Sequence, residues 1–222
     1  MQKVIILGGI GNGSVITQAI VDANKRGDYS CEMVGYLNDR EDKGFLIEDY
    51  PVLGKLSEAR RYADAGYKFI NTIYRIDGQK ERLDLFSNLG IDDSNLAIFI
   101  HPSAYVASNV IIEPGVVIMP YVMISAGAKI GKASLIMVGA SIGHNTELGE
   151  YNHIAAQAVV GAFIKTGIGV HIGLNATLRE NLNLGNYSTV GMGAVLTKDI
   201  GPSEIWAGNP AKFLRIADWK IG

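Results

Sequence analysis

Branched aliphatic residues recur at every sixth position of this chain from Val106 to Leu196. Thr166 is the one exception in that row. A period of six matches neither the 3.6-residue turn of an α-helix nor the two-residue alternation of an ordinary strand. Short strands that are joined by tight corners and stacked on one another produce such a period. The row therefore predicts a solenoid over this half of the chain.

A single repeat of this kind cannot bury its own aliphatic side chain, so stability has to come from stacking. Equivalent residues of neighbouring coils are expected to lie about 4.8 Å apart, as neighbouring strands do in a sheet. The periodicity by itself gives no reason to depart from the general preference for right-handed crossovers.

The first part of the chain has a different pattern, in which short apolar runs alternate with helical stretches. Val4–Leu7 reads as a buried strand, the glycine-rich turn Gly8–Ser14 follows, and Val15–Lys25 reads as a helix. Further strands are expected at Met33–Leu37 and Lys68–Ile73. Helices are expected at Ser57–Ala65 and Gln79–Leu89. This alternation predicts a parallel sheet.

Parallel sheets bind ligands at the carboxyl ends of their strands. Gly11 and Asn12 follow the first strand, and Asn38 and Asp39 follow the second. The glycine spacing departs from the dinucleotide fingerprint because Ser14 stands where its third glycine belongs. We interpret the turn as a nucleotide-binding element, with a purely structural turn as the alternative.

Composition narrows the classes of function. The 222 residues carry a formal net charge of -2, which gives no electrostatic basis for binding nucleic acid or a membrane surface. The single cysteine, Cys31, excludes an internal disulfide and a thiolate metal cluster, and no metal site is expected. No secretion signal or membrane-length apolar run is present, so a cytoplasmic protein is expected.

From about Ile98 to Ile216 the chain resembles the hexapeptide-repeat acyltransferases, and Gly208-Asn209-Pro210-Ala211-Lys212 matches the close of that family's repeats. The N-terminal glycine turn and His101-Pro102-Ser103 extend the resemblance to the bacterial sugar acetyltransferases. The resemblance implies a mixed fold: a Rossmann-like α/β domain over residues 1–97 that binds a nucleotide sugar, then a left-handed parallel β-helix with a C-terminal tail over residues 98–222. It also implies a homotrimer that uses acetyl-CoA.

The implied activity is N-acetylation of a nucleotide-activated aminosugar of the 4-amino-4,6-dideoxy type, for bacterial surface glycans. O-acetylation of sialic acid or a related sugar is the alternative enzymatic interpretation. A catalytically silent trimeric scaffold or ligand sensor is an alternative of another class.

Acetyl transfer from a thioester requires a base for the acceptor's proton and a donor for the developing oxyanion. His144 matches the catalytic histidine of the family, and Asn145 stands beside it where the aminosugar N-acetyltransferases usually carry a carboxylate. An amide can orient the imidazole but adds no charge. His101, at the junction of the two regions, reads as a structural turn residue.

The remaining site residues follow from the resemblance position by position. His153 matches a histidine that contacts the acetyl-CoA thioester carbonyl, and the other positions assigned to acetyl-CoA are Gly161, Ala162, Leu174, Met192 and Lys212. Gly161 and Ala162 are alternative oxyanion donors through their amides. The positions assigned to the nucleotide sugar are Ile10, Gly11, Asn12, Asn38, Asp39 and Tyr74.

The resemblance implies eighteen residues per triangular coil, and this coil length gives these positions a register. His171 is expected directly above His153, whereas His144 is half a coil away and points to another side of the same prism. In a threefold assembly, His144 of one subunit could face the His153 side of its neighbour. The sequence therefore predicts an active site between subunits.

Overall fold

A computed structural model of the chain describes residues 1–76 and 79–217. Its N-terminal part alternates strands and helices, as the sequence predicts. The elements are β1 (Gln2–Leu7), α1 (Asn12–Lys25), β2 (Cys31–Leu37), β3 (Leu46–Ile47), β4 (Tyr50–Gly54), α2 (Ala59–Asp64), β5 (Lys68–Asn71) and α3 (Gln79–Ser87), with single turns of 3-10 helix at Leu56–Glu58 and Asp93–Asn95.

These strands form one sheet in the order β3-β4-β2-β1-β5. Strand β1 lies between β2 and β5 and runs parallel to both. Its residues Val4–Leu7 are completely buried, which explains the unbroken apolar run in the sequence. The chain leaves the carboxyl end of β1 towards α1 and returns on either side of that strand, so the edge beyond β1 is open for a ligand.

The hairpin of β3 and β4 has no counterpart among the predicted elements. Its two-residue turn consists of Glu48 and Asp49, both with positive φ (48° and 66°). Such a turn normally uses Asn and Gly, which tolerate positive φ. Because the turn is built from two acidic residues, it carries none of the usual sequence signals of a hairpin.

The repeat region forms the predicted solenoid. Seventeen two-residue strands, β6 to β22, follow one another at intervals of about six residues and are Phe99–Ile100, Tyr105–Val106, Ile111–Ile112, Val117–Ile118, Met123–Ile124, Lys129–Ile130, Leu135–Ile136, Ser141–Ile142, Glu147–Leu148, His153–Ile154, Val159–Val160, Lys165–Thr166, His171–Ile172, Thr177–Leu178, Asn183–Leu184, Thr189–Val190 and Val195–Leu196. They pair in parallel with the strand one coil away, for example Ile136 with Ile154. The predicted class, an α/β domain followed by a left-handed parallel β-helix, is confirmed.

The chain ends on one side of this prism. Strand β23 (Glu204–Ala207) continues the sheet of β21, and β24 (Lys212–Ile216) pairs with β23 in an antiparallel arrangement. The last five residues of the predicted tail, 218–222, lie outside the described residues.

The three sheets of the prism differ in the residues that point outward. On the buried face (β6, β9, β12, β15, β18 and β21) the outward residues, which include Val117, Leu135 and His153, are all buried. The charged face (β8, β11, β14, β17 and β20) presents Lys129, Glu147 and Lys165 outward, with their charged groups 3.7 and 3.9 Å apart. The apolar face (β7, β10, β13, β16, β19 and β22) exposes Tyr105, Met123 and Val159.

The N-terminal domain covers the buried face. Tyr36, Ile16 and Ile20 belong to the same apolar cluster as Val117 and Leu135. Polar contacts add to this packing, since buried His101 lies 3.0 Å from the carboxylate of Asp22 in α1. His101 thus has the structural place that its position before a proline indicated.

Thr166, the exception in the aliphatic row, lies within a polar network inside the prism. Its hydroxyl donates to Oδ1 of Asn152 at 2.7 Å and accepts from the amide of Gly149 at 2.9 Å. Nδ2 of Asn152 donates to the carbonyls of Gly149, Glu150 and Gly167. Thr166 therefore satisfies a buried amide side chain that an aliphatic residue would leave without a partner.

We predict that Thr166→Val destabilises the protein even though it restores the aliphatic row. Valine would leave Asn152 Oδ1 and the Gly149 amide without their partner, at a cost of about 1–3 kcal/mol. Thr166→Ser keeps the oxygen and removes one methyl group, which costs about 0.8 kcal/mol. Chemical unfolding at one fixed protein concentration compares the two variants. A valine variant as stable as the parent protein would contradict the role of the network.

Candidate active site

A cavity of about 380 Å³ opens at the carboxyl edge of the N-terminal sheet. We call it the sheet-edge cavity. Loops after β1, β2 and β5 meet there, together with the first turns of α3, as expected for a parallel sheet. Its lining consists of Gly8, Gly9, Ile10, Asn38, Asp39, Arg40, Glu41, Leu56, Thr72, Ile73, Tyr74, Arg82 and Leu85.

The glycine turn brings its backbone close to the neighbouring loops. A β-carbon at Gly9 would overlap the side-chain amide of Asn38. Gly11, with φ 108°, precedes α1, and the hydroxyl of Ser14 accepts from its amide and donates to its carbonyl. The first turn of α1 contains no acidic residue. The helix dipole at this end therefore favours a negatively charged group nearby.

Asn38 and Asp39 fix the loop after β2 through their side-chain oxygens. Oδ1 of Asn38 accepts from the amides of Arg40 and Glu41 at 2.7 and 3.4 Å. Oδ1 of Asp39 accepts from the amide of Leu56 at 2.8 Å. Because the oxygen of Asn38 is used in this way, its Nδ2 is the atom that it can offer to a ligand.

Tyr74 links the sheet-edge cavity to the β-helix. Its ring lines the cavity and stacks on the imidazole of His153, with centroids 4.2 Å apart and planes at 17°. Asn12, at the start of α1, contacts the same imidazole, with Nδ2 3.2 Å from Nε2 of His153. Tyr74 and Asn12, which the resemblance assigns to the nucleotide sugar, thus both contact His153, which it assigns to acetyl-CoA.

The predicted stacking of His171 on His153 is confirmed: the two residues pair in register, and their Nδ1 atoms are 3.3 Å apart. Burial, together with the charge that His171 carries when protonated, lowers the pKa of His153 to about 3. Burial also lowers the pKa of His171 to about 4. Both imidazoles are therefore neutral at pH 7.

The contacts specify the tautomers of this pair. With Asn12 Nδ2 as donor, Nε2 of His153 is the acceptor. Nδ1 of His153 then carries the proton and donates to Nδ1 of His171. Both nitrogens of His153 are engaged, so a thioester carbonyl could be bound only if one of these partners moved.

His144 lies apart from that cluster, on the corner between the apolar and charged faces. It is exposed, and its Nδ1 donates to Oδ1 of Asn145 at 3.0 Å. This bond leaves Nε2 with a free lone pair that can accept a proton. The rings of His144 and Phe163 pack edge to face, with centroids 4.9 Å apart and planes at 86°. His153 belongs to the buried face, so the predicted placement of His144 and His153 on different sides of the prism is confirmed.

The two candidate oxyanion donors lie one coil above His144 and differ in their partners. The amide of Gly161 donates to the carbonyl of Leu178 at 3.1 Å. The amide of Ala162 donates to no acceptor in the described part of the chain. Of the two, Ala162 alone has an N–H that is free to meet a developing negative charge.

Leu174 and Met192 occupy the third corner, between the buried and apolar faces. They are one coil apart and are 51% and 76% exposed. Lys212 is exposed at the start of β24. The positions assigned to acetyl-CoA therefore fall on both sides of the apolar face, at corners that do not meet within one chain.

Sequence reasoning missed several residues of the sheet-edge cavity. Arg40 and Glu41 follow the pair Asn38-Asp39 directly, so they could have been included. Arg82 comes from α3, where Gln79, Arg82 and Phe86 recur at helical spacing on the packed side. Arg82 is thus a charged residue between two buried residues of the helix, and this pattern could have marked it as a candidate site residue.

Within residues 1–76 and 79–217, no cluster of three or more His, Cys, Asp or Glu side chains is placed to hold a metal ion. The same residues contain no helix that is both long and apolar enough to span a bilayer.

The architecture of this chain, a sheet domain followed by a prism of hexapeptide coils, is shared with known acetyltransferases. The bacterial transferase hexapeptide family (six repeats) matches residues 127–162. The acetyltransferase domain of PglB from Neisseria gonorrhoeae FA1090, in complex with acetyl coenzyme A, is 27% identical with a TM-score of 0.81, over 96% of this chain and 99% of that one. The match over residues 127–162 and the shared fold make this chain similar to the hexapeptide-repeat acetyltransferases.

Two further structures share the whole fold. A mutant of perosamine N-acetyltransferase from Caulobacter crescentus, in complex with CoA and GDP-perosamine, is 24% identical with a TM-score of 0.82, over 97% of this chain and 98% of that one. WeeI from Acinetobacter baumannii AYE is 22% identical with a TM-score of 0.75, over 96% of this chain and 100% of that one.

We predict that the buried histidine pair makes stability depend on pH below neutrality. In the unfolded chain a histidine binds a proton near pH 6.5, whereas His153 and His171 resist protonation down to about pH 3 and 4. Stability is therefore complete above pH 6.5 and falls as the pH drops towards 4, by about 1.4 kcal/mol per pH unit for each histidine.

The test is the slope of unfolding free energy against pH between 6 and 4.5. His171→Gln removes one titrating group, while its side-chain oxygen can still accept from His153. It should reduce the slope by about 1.4 kcal/mol per pH unit, the contribution of one histidine. Thr189→Val, which alters the next buried residue of the same column without removing a titrating group, should leave it unchanged. Equal slopes in the parent and the glutamine variant would rule the pair out as the cause.

Proposed function

We propose that this protein is an acetyl-CoA-dependent N-acetyltransferase that acts on a nucleotide-activated aminosugar of the 4-amino-4,6-dideoxy type, for bacterial surface glycans. The contact of Tyr74 with His153 carries the proposal, because it joins a nucleotide-sized cavity directly to the β-helix. The PglB domain with acetyl coenzyme A supports the co-substrate, and the perosamine enzyme with CoA and GDP-perosamine supports the acceptor class.

The division of labour follows the two domains. Residues 1–97 hold the nucleotide sugar through Ile10, Gly11, Asn12, Asn38, Asp39 and Tyr74. Residues 98–222 hold acetyl-CoA. This division fits a cytoplasmic enzyme, because nucleotide sugars and acetyl-CoA are both small cytoplasmic metabolites. The buried free thiol of Cys31 is compatible with a reducing compartment.

In the proposed reaction His144 is the general base. As the acceptor amine attacks the thioester carbon, Nε2 of His144 takes the amine proton, and Asn145 holds the ring through Nδ1. The carbonyl oxygen gains negative charge, which the free amide of Ala162 stabilises. The C–S bond then breaks, the protonated His144 gives its proton to the leaving sulfur, and coenzyme A departs as the thiol while the amide product remains.

We further propose a homotrimer whose subunits meet through the apolar face. The buried face already contacts the N-terminal domain, and the charged face suits solvent, so the face with Tyr105, Met123 and Val159 is the one left for association. Threefold packing through one face brings the His144 corner of one subunit against the Leu174 and Met192 corner of its neighbour.

This arrangement gives acetyl-CoA ligands from two chains. His144 and Ala162 come from one subunit, and Leu174 and Met192 come from the next. Lys212 would interact with a phosphate of the coenzyme through its positive charge. His153 stays a predicted contact of the acetyl group, which requires Asn12 or His171 to give up its present hydrogen bond.

The direct test is an acceptor panel. The protein is incubated with acetyl-CoA and with UDP-, GDP- and dTDP-linked 4-amino-4,6-dideoxy sugars, and release of the coenzyme A thiol is followed. We expect one nucleotide aminosugar to be acetylated and His144→Ala to be at least about a hundredfold slower, since general-base catalysis contributes about 10²–10⁴-fold. Sialic acid as the only accepted substrate would favour O-acetylation. No thiol release and no coenzyme binding would favour a scaffold.

The interface is tested by mixing inactive subunits. If each site uses His144 of one chain and His153 of another, random mixing of His144→Ala and His153→Ala subunits completes about a quarter of the sites, so about a quarter of the activity should return. Separately purified homotrimers and unmixed blends serve as controls. Well-folded mixed trimers without activity would exclude a site shared in this way.

A further inference from the structure

Arg82 is the one side chain of the sheet-edge cavity with a buried charged donor atom that has no partner. Its Nε is inaccessible to solvent and makes no hydrogen bond. No carboxylate within the described residues forms an ion pair with its guanidinium, although Asp39 and Glu41 line the same cavity. Arg40 also lines the cavity, but it is exposed to water.

An unsatisfied buried donor is costly, and a charged one more so. Natural structures rarely keep such a group unless a ligand supplies the partner. Nε and a terminal nitrogen of guanidinium form a fork that matches two oxygens of a phosphate or carboxylate. The free Nε of Arg82 therefore indicates an oxyanion as the missing partner.

The glycine turn also offers donors to the cavity. The amides of Gly9 and Ile10, both in its lining, donate to no acceptor in the described part of the chain. They stand just before the N-terminus of α1, whose dipole favours negative charge. Asn38 adds Nδ2, since its oxygen is held by two backbone amides. These groups are donors that line one cavity, so a ligand with several acceptor oxygens matches them.

We propose that Arg82 binds the diphosphate of the nucleotide sugar from the α3 side, while the amides of the glycine turn bind it from the β1 side. This inference rests on the proposed function and names a ligand contact within it. Arg82 would then distinguish diphosphate-linked acceptors from free sugars. A carboxylate of an acidic sugar has related chemistry, and the experiment separates the two sources.

The experiment is calorimetric titration of the full chain with UDP, GDP and dTDP, with the matching nucleosides and with sialic acid. We expect one diphosphate to bind the parent protein and Arg82→Gln to weaken that binding about 10- to 100-fold, the range of one charge-assisted pair. The affinity for the matching nucleoside should change less than about twofold, because Arg82 contacts only phosphate oxygens. Arg82→Lys should be intermediate, since it keeps the charge without the fork.

Arg40→Gln is the matched control: the same change in the same cavity, at a solvated guanidinium, is expected to weaken binding less than about threefold. An unchanged affinity for acetyl-CoA and an unchanged thermal midpoint show that each variant is folded. Equal loss in both arginine variants, or none in Arg82→Gln, would overturn the assignment while leaving the nucleotide-sugar proposal intact. A parent protein that binds acetyl-CoA but no diphosphate would instead refute the nucleotide acceptor, and binding of sialic acid alone would assign Arg82 to a carboxylate.

Discussion

Hydrogen bonding between successive coils is the constraint on which the rest of this structure depends. The amide of Leu135 donates to the carbonyl of Asn152, and the amide of His153 donates to that of Val170, so each coil is fixed to the next in the same register. Eighteen residues later every side chain lies above its predecessor. Columns of side chains result, and each column has one environment along its whole length. The three faces of the prism can therefore differ completely in character although they alternate along the chain.

The buried face shows what such a column imposes on its polar members. Val117, Leu135 and the two histidines follow one another, and the N-terminal domain covers them all. A charged imidazole would have to be desolvated there, so both histidines remain neutral. Asn12 donates a hydrogen bond to His153, and His153 donates one to His171. The contact between the domains thereby selects the tautomers of the pair. His144 lies on an open corner instead, exposed to solvent.

The register explains how much could be predicted from the sequence. The solenoid follows from the six-residue period alone, whereas the stack of His171 on His153 and the separation of His144 follow from the eighteen-residue coil that the resemblance implies. The purpose of Thr166 did not follow, because its partner Asn152 lies fourteen residues away in a column that the row of aliphatics does not include. The hairpin at Glu48-Asp49 lacked the residues that mark its turn, and Arg82 joined the cavity through a helix whose packing only the tertiary structure determines.

Asn145 shows how backbone geometry and chemistry can favour the same residue. Its φ of 57° lies in the left-handed region, where asparagine is among the few non-glycine residues that are readily accommodated. One coil earlier the same corner is occupied by Gly127, and a β-carbon there would press on the side-chain nitrogen of Asn145. The glycine therefore leaves room for the amide, and the amide turns its oxygen to Nδ1 of His144. A carboxylate, usual here in the enzymes that the chain resembles, would add charge to this geometry, whereas the amide provides orientation alone. Under the proposed mechanism, Asn145 therefore orients the ring of His144 and adds no charge to it.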